Sequence, residues 1–429
     1  MDESCVSDPQ APSSPQSGHH TRVLFLSGLQ IHPTTSGGTL RSFALVSSLR
    51  RRGFDVRVHS LTGRKPGYLA RLPSSTQAWP GGTEEYVDRS VRSAVSWLAS
   101  YVLGLPPLWM TAHLAAAAHS PREILLPPLL REELSWCDAI VADFPFLHPI
   151  LSAPSARGKL RILSTHNVEH HLCGDQRRIR HRLVRGLVRR VEIRAAGRCD
   201  ILVVCCASDA EFFAANARVG RVVVVPNGVN VERFRGIEKE RAETRRQLGI
   251  ADDERVALFT ASKWGPNQEA LDYLLGFARD NARLLTGEKI HILVVGNVAA
   301  RRIKLPGFTA TGRVERVEPY FAAADAALNP IVSGAGTNVK MGEFIVLRLP
   351  VVSTPFGARG LDFVDGQSGF VFERECLAPV LSRVCRLFAE DPARLRQVAE
   401  NAYVRNKGVV DMDACVQDLV QAVTRHQSP

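Results

Sequence analysis

The sequence has no C-x-x-C pair, no long uncharged apolar run and no apolar core within its first twenty residues. Each absence excludes something. The nine cysteines are scattered and odd in number, which argues against a disulfide framework or a cysteine zinc site and predicts reduced thiols in a cytoplasmic setting. Residues 1–20, rich in Ser, Pro and Gln, predict a disordered tail without a secretory signal. The nearest approach to a membrane span is residues 93–120, which lack Lys, Arg, Asp and Glu. Gly104, Pro106, Pro107 and two histidines interrupt it, so it predicts a helix pair with one face suited to a membrane surface. Aromatic residues make up 7% of the chain and none interleave with its basic clusters, which excludes nucleic acid as a partner.

The chain does have length and positive charge. Its 429 residues suffice for two domains, each with its own core, and 45% hydrophobic with 23% charged residues is the composition of a globular protein. The net charge of +11 is concentrated, because residues 157–198 hold twelve Lys or Arg against three acids. Much of this lies on an expected helix over residues 176–196. There Ile179, Leu183, Leu187 and Val191 recur every four residues and are expected to face the core, leaving Arg178, Arg182, Arg185 and Arg189 to solvent. Such a face is either a solvated arginine surface or a seat for an anionic partner, a membrane surface or an anionic acceptor.

Strand and helix patterns alternate along the chain. Arg22–Ser27 reads as a buried strand, followed by a loop with Ser36-Gly37-Gly38, a helix from about Thr39 to Arg52, and a strand over Asp55–Leu61. This is a βαβ unit, so a parallel sheet is expected. The loop lacks G-x-G-x-x-G, which counts against dinucleotide binding. Further strands are expected near Ala139, Arg161, Ile201 and Val222, and the last runs into the turn Pro226-Asn227-Gly228-Val229-Asn230. The alternation then repeats, with strands near Val256, Ile290, Phe308, Ala326 and Pro350. The fold class is therefore α/β, two Rossmann-like halves, with ligands expected beyond the carboxyl ends of the strands.

The most informative stretch is 329–354. A Gly-rich loop (Ser333, Gly334, Ala335, Gly336) leads through Thr337 and Asn338, both good N-cap residues, into an apolar-periodic helix beginning at Val339 and stopped by Pro350. Glycines before a helix start let backbone N–H groups approach an anion, where the helix dipole favours negative charge. Lys340 adds a cation in the first turn, and Glu343 offers a carboxylate three residues on. That layout suits a sugar nucleotide. Lys263, just beyond a strand and before Pro266-Asn267, is a second cation suited to a diphosphate. Residues 164–170, Ser-Thr-His-Asn-Val-Glu-His, contain H-x-x-E-H, which would place His166 and His170 as a zinc pair with Glu169 as general base. The segment follows a strand directly, however, which puts His166 in a turn rather than on a helical face.

These segments resemble the GT-B glycosyltransferases, specifically the family 4 retaining enzymes. Gly334-Ala335-Gly336-Thr337, Lys340, Glu343 and Pro350–Thr354 match that family's donor-binding segment, with Ala335 standing where other members carry a glutamate. Thr165-His166-Asn167 and Glu169 match its T-H-N-x-E element, Gly312-Arg313-Val314 its base-side G-x-V element, and PNGV followed by Phe234 its interdomain junction. The resemblance implies two Rossmann-like lobes facing a central cleft: an acceptor lobe over 21–228, a donor lobe over 229–408, and a final helix within 409–429 returning to the first lobe. It implies a hexose moved from a nucleoside-diphosphate sugar to a glycan or lipid-linked acceptor, with retention and with no metal or cofactor. Its site would comprise His166, Lys340 and Glu343, with Gly37, Gly38, Lys263, Asn267, Gly312, Arg313, Val314, Ser333, Gly334, Ala335, Gly336, Thr337, Asn338 and Val339 around the donor, and Arg41 near the phosphates. Two alternatives stay open: a sugar-nucleotide 2-epimerase of the same fold, and a nucleotide-sugar binder without catalysis, which Ala335 motivates.

Overall fold

The computed structural model describes residues 21–61 apart from 33, 35 and 36, together with 75–79, 83–88, 128–172, 179–334 and 339–427. The helix pair expected within 93–120 lies outside them. Among the described residues no helix is long and apolar enough to cross a membrane.

The apolar runs read from the sequence become the centres of two sheets. In the first, β1 (Arg22–Ser27), β2 (Asp55–Leu61), β3 (Ser75–Ala78), β4 (Glu84–Asp88), β5 (Ala139–Asp143), β6 (Leu160–Ser164), β7 (Ile201–Val204) and β8 (Arg221–Val224) lie in the order β3-β4-β2-β1-β5-β6-β7-β8. All neighbours are parallel except β3, which pairs antiparallel with β4. In the second, β9 (Arg255–Thr260), β10 (Ile290–Val295), β11 (Ile303–Leu305), β12 (Phe308–Ala310), β13 (Ala326–Asn329), β14 (Val351–Ser353) and β15 (Phe370–Val371) run β11-β12-β10-β9-β13-β14-β15. Only β11 is antiparallel to its neighbour. Parallel strands covered by helices on both faces are apolar throughout rather than alternating, which is why these segments read as unbroken runs. Each sheet separates two apolar clusters, and each fully buried Leu or Phe in them contributes about 1.5–3 kcal/mol. In both sheets the strand order reverses beside the first strand, β1 or β9, where open α/β sheets leave a crevice.

The chain crosses between the two sheets twice, at one place. Val229 N–H donates to Val410 O (2.7 Å) and Met412 N–H donates to Val229 O (3.2 Å). A Cβ at Gly228 would come within 2.6 Å of the Met412 backbone, so only glycine admits this crossing. Beyond it, Met412, Val416, Leu419 and Val423 pack with Val23, Phe25 and Val203 of the first lobe.

The helix Gly37–Arg51 grips both crossings. Arg41 Nη1 donates to Val225 O, Pro226 O and the Asn227 Oδ1, while Arg51 and Ser48 hold Asp413.

One expectation fails in the arginine-rich helix, observed over Ile179–Ala196. Leu187 is 53% exposed, and the buried stripe is Val188, Val191, Glu192 and Ala195. A strict four-residue repeat drifts around a helix of 3.6 residues per turn, whereas this stripe mixes steps of three and four. Arg182, Arg189, Arg190 and Arg194 are exposed, and Arg185 is half-buried.

Candidate active site

Two groups of sequence-selected residues meet at the gap between the lobes. A cleft there is lined by Gly37, Leu40, Arg41, Phe43 and Ala44 from the first lobe, by Asn227–Asn230 at the crossing, and by Arg233, Val339 and Glu343 from the second. Gly37 and Val339 each open a helix, Gly37–Arg51 and Val339–Val346, so two helix N-termini, each the positive end of its helix dipole, border one space. Ala335, Gly336, Thr337 and Asn338 lie outside the described residues. His166, Lys263, Asn267, Gly312–Val314, Ser333, Gly334 and Lys340 do not line this cleft.

Lys340 and Glu343, one turn apart, have separate partners. Lys340 Nζ donates to the Asn267 Oδ1 (3.0 Å) and lies 4.3 Å from the centre of the Phe259 ring. Burial pushes its amine down from 10.5 to about 7, a fall that Glu343 opposes. Asn267 is itself fixed, its Nδ2 donating to Ser262 O (2.8 Å). Glu343 accepts from Arg233 Nη1 (2.6 Å) instead, and burial raises its carboxyl above the usual range while Arg233 opposes the rise.

His166 sits at the end of β6. It is buried, its ring stacked on Phe144 with centroids 4.2 Å apart and planes 9° apart. Its Nε2 meets Asp143 Oδ1 at 2.8 Å, and among the described residues its Nδ1 meets no hydrogen-bond partner. Asp143 Oδ2 accepts from Ser42 Oγ (2.5 Å), and Ser42 also donates to Gly38 O (3.0 Å). A chain of polar contacts thus joins His166 to the Gly37-Gly38 helix start on the cleft. Phe144 has φ 113°, a left-handed conformation that costs a non-glycine residue about 1–3 kcal/mol. Asp143, Phe144 and Ser42 were not among the residues selected from the sequence. The one local signal was an Asp-Phe pair immediately after an apolar strand.

His170 goes elsewhere. Its Nδ1 meets Glu192 Oε2 (2.7 Å), and Glu192 also accepts from the N–H groups of Glu169 and His170. Glu169–Leu172 is a single 3-10 turn, so His166 and His170 serve two different carboxylates and share no helical face, as a zinc pair would require. Burial lowers His170 to about 4 and raises Glu169 to about 7.

The loop before the second helix start is held from outside. Ser333 Oγ donates to Glu269 Oε2 (2.8 Å), and Arg374 pairs with Glu269 Oε1 (2.9 Å). Gly334, at φ 123°, lies so close to Trp264 that a Cβ there would come within 2.7 Å of the indole. Trp264 remains 48% exposed beside the exposed Lys263. Gly312 follows β12 at φ 73°, Arg313 is exposed, and Val314 packs partly into the core.

Two mostly parallel sheets, each with helices on both faces, define the GT-B glycosyltransferase architecture. A model described as Glycosyltransferase Family 4 matches residues 35–233, and one described as Glycosyl transferases group 1 matches 254–390. The chain belongs to the GT-B glycosyltransferases of the family 4-like group. It is 25% identical over 187 residues to TuaC of Bacillus subtilis (strain 168), a protein named as a teichuronic acid biosynthesis glycosyltransferase. That match spans 42% of this chain and 44% of TuaC, less than half the length of either. Among solved structures, Anabaena HepE in complex with UDP-glucose aligns over 95% of this chain and 100% of its own, at TM-score 0.55 and 15% identity. Sucrose-phosphate synthase from Thermosynechococcus elongatus aligns over 94% and 99%, at TM-score 0.59 and 16% identity. WaaG, a glycosyltransferase involved in lipopolysaccharide biosynthesis, aligns over 94% and 99%, at TM-score 0.53 and 17% identity.

Proposed function

We propose that this glycosyltransferase moves a hexose from a nucleoside-diphosphate sugar to a glycan or lipid-linked acceptor, with retention of anomeric configuration and without a metal ion. The observation that carries the reading is the shared cleft, where two helix N-termini, Arg41 and the Glu343–Arg233 pair converge from both lobes. The diphosphate rests on the N-terminus of the helix that starts at Val339, and Gly37 and Gly38 face it from the first lobe. Lys340 and Lys263 neutralise the charge that develops on the departing nucleoside diphosphate, work a divalent cation would otherwise do. Lys340 is suited to this role because its desolvated amine gains a counter-ion when the donor binds. Glu343 accepts hydrogen bonds from the ribose hydroxyls. Gly312–Val314 lie against the base, and Ser333 to Gly336 hold the sugar through backbone groups. His166, oriented by Asp143, presents Nδ1 to the donor sugar.

HepE in complex with UDP-glucose and TuaC, named for teichuronic acid biosynthesis, support the donor and acceptor classes. The exposed arginines of the helix Ile179–Ala196 suit an anionic membrane surface or an anionic acceptor. Thermal-shift screening with UDP-, GDP- and ADP-sugars identifies the donor, and the anomer of the product is then read by NMR. Glu343→Ala and Lys340→Ala should each abolish transfer in a protein that stays folded, and near wild-type activity in both refutes the site. Incubation with donor alone separates transfer from 2-epimerisation.

A further inference from the structure

Glu343 does not stand alone in the cleft. Arg233 donates from Nη1 to Glu343 Oε1 (2.6 Å) and from Nε to Glu318 Oε1 (2.5 Å), so one guanidinium bridges two carboxylates. The three side chains come from three elements: the 3-10 turn Val231–Phe234 just past the lobe crossing, the helix Glu318–Ala323, and the helix Val339–Val346. The helix bearing Glu318 begins four residues after Val314, within the connection that leaves β12 through Gly312. The ion triad therefore spans from the base-side segment to the carboxylate that faces the cleft.

The backbone beneath it is braced in parallel. Phe234, Phe321 and Phe344 form a continuous aromatic row, with centroids 5.1 Å and 5.9 Å apart, and each ring is carried by the same element as one member of the triad. Asn230 caps the turn, its Oδ1 accepting from Glu232 N–H (3.2 Å). Arg233 and Glu343 both line the cleft. Among the described residues Glu343 accepts its hydrogen bond through Oε1, and Oε2 is the oxygen it can offer a ligand.

We propose that Arg233 is a positioning residue for nucleotide recognition, tying Glu343 to Glu318 so that Glu343 Oε2 is held at a fixed place relative to the base-side segment and selects the ribose diol. The proposal rests on the reading of Glu343 as the ribose ligand. A planar guanidinium suits this task where an ammonium does not, because Nη1 and Nε address two carboxylates at fixed angles. An ordinary structural ion pair would also stabilise the lobe, but it would not affect which sugar the nucleotide carries.

Ribose discrimination is therefore the measurement. Dissociation constants of the full chain are measured by calorimetry for UDP, GDP and ADP, each against its 2′-deoxy and 3′-deoxy counterpart. Losing a hydrogen bond to a carboxylate should weaken at least one deoxy counterpart roughly tenfold to a hundredfold in the wild type. Glu343→Ala should bring that ratio close to one. Arg233→Lys, which keeps a cation but cannot bridge both carboxylates, should also reduce it to within about threefold while the protein melts cooperatively. Arg233→Met is the second variant, and Arg233→Lys carries the test if Arg233→Met fails to fold. A wild-type ratio in Arg233→Lys, with a collapsed ratio in Glu343→Ala, overturns the proposal and leaves the ribose reading intact. An undiminished ratio in Glu343→Ala, or no binding of any nucleotide to the wild type, overturns the ribose reading instead.

Discussion

The buried charge of Lys340 costs the free protein more than its contacts with Asn267 and Phe259 return, and replacement by methionine should show this. Its amine is held near 7 against an ordinary 10.5 because burial disfavours the ammonium. Below pH 7 the folded and unfolded chains both carry the proton, so the full penalty is present and amounts to on the order of 5 kcal/mol. Between pH 7 and 10.5 the unfolded chain binds the proton more tightly than the folded one, so the penalty shrinks as pH rises. At pH 9 it has fallen to about 2 kcal/mol. Lys340→Met keeps a flexible stem against Phe259 and removes the charge, at a loss of about 1 kcal/mol for the bond to Asn267. Urea unfolding should therefore find the variant more stable at pH 6 by about 3–4 kcal/mol, with the advantage narrowing by about 3 kcal/mol at pH 9. Transfer activity and donor binding should be lost in the same protein. A variant less stable than wild type at pH 6, or an advantage that does not change with pH, refutes the reasoning that Lys340 is a desolvated cation awaiting an anion.

Three more outcomes are expected. Asp143→Asn removes the charged partner of His166 Nε2 and should lower the transfer rate roughly tenfold to a hundredfold, with His166→Ala as the reference in the same assay. An unchanged rate would show that Asp143 does not orient the ring. Gly334→Ala drives a methyl group into Trp264 at a positive φ and should cost about 1–3 kcal/mol in a denaturant melt, with a raised KM for the donor. Trp264→Ala in that background should recover part of the loss by removing the clash. Sedimentation with vesicles of phosphatidylglycerol and phosphatidylcholine should show binding that falls with salt, and a triple change of Arg182, Arg189 and Arg190 to Glu should abolish it. Equal sedimentation of the two proteins would remove the membrane from the account.

The sequence by itself determined the order of the central strands, because buried parallel strands must be apolar along their whole length, but it missed β3, β4, β11 and β15, short strands at or next to the sheet edges that carry no such run. It also marked the ends of strands where chemistry can sit, since Gly37-Gly38, His166, Lys263, Gly312 and Ser333-Gly334 all follow apolar runs. What it left undecided was which polar groups meet. Lys340 and Glu343 are neighbours on one helix, yet Asn267 takes one and Arg233 the other, across 73 and 110 residues of chain. Asp143 reaches His166 from the adjacent strand, and Phe144, at φ 113°, stacks its ring on that histidine. The arginine-rich helix shows the same division: a repeat of four suggested its inward face, but the packing surface chose Val188, Val191 and Ala195 and left Leu187 outside. Local periodicity governs elements because backbone geometry is local. Partners of buried charges are set by the three-dimensional arrangement of elements, through desolvation and hydrogen bonding that no single segment contains.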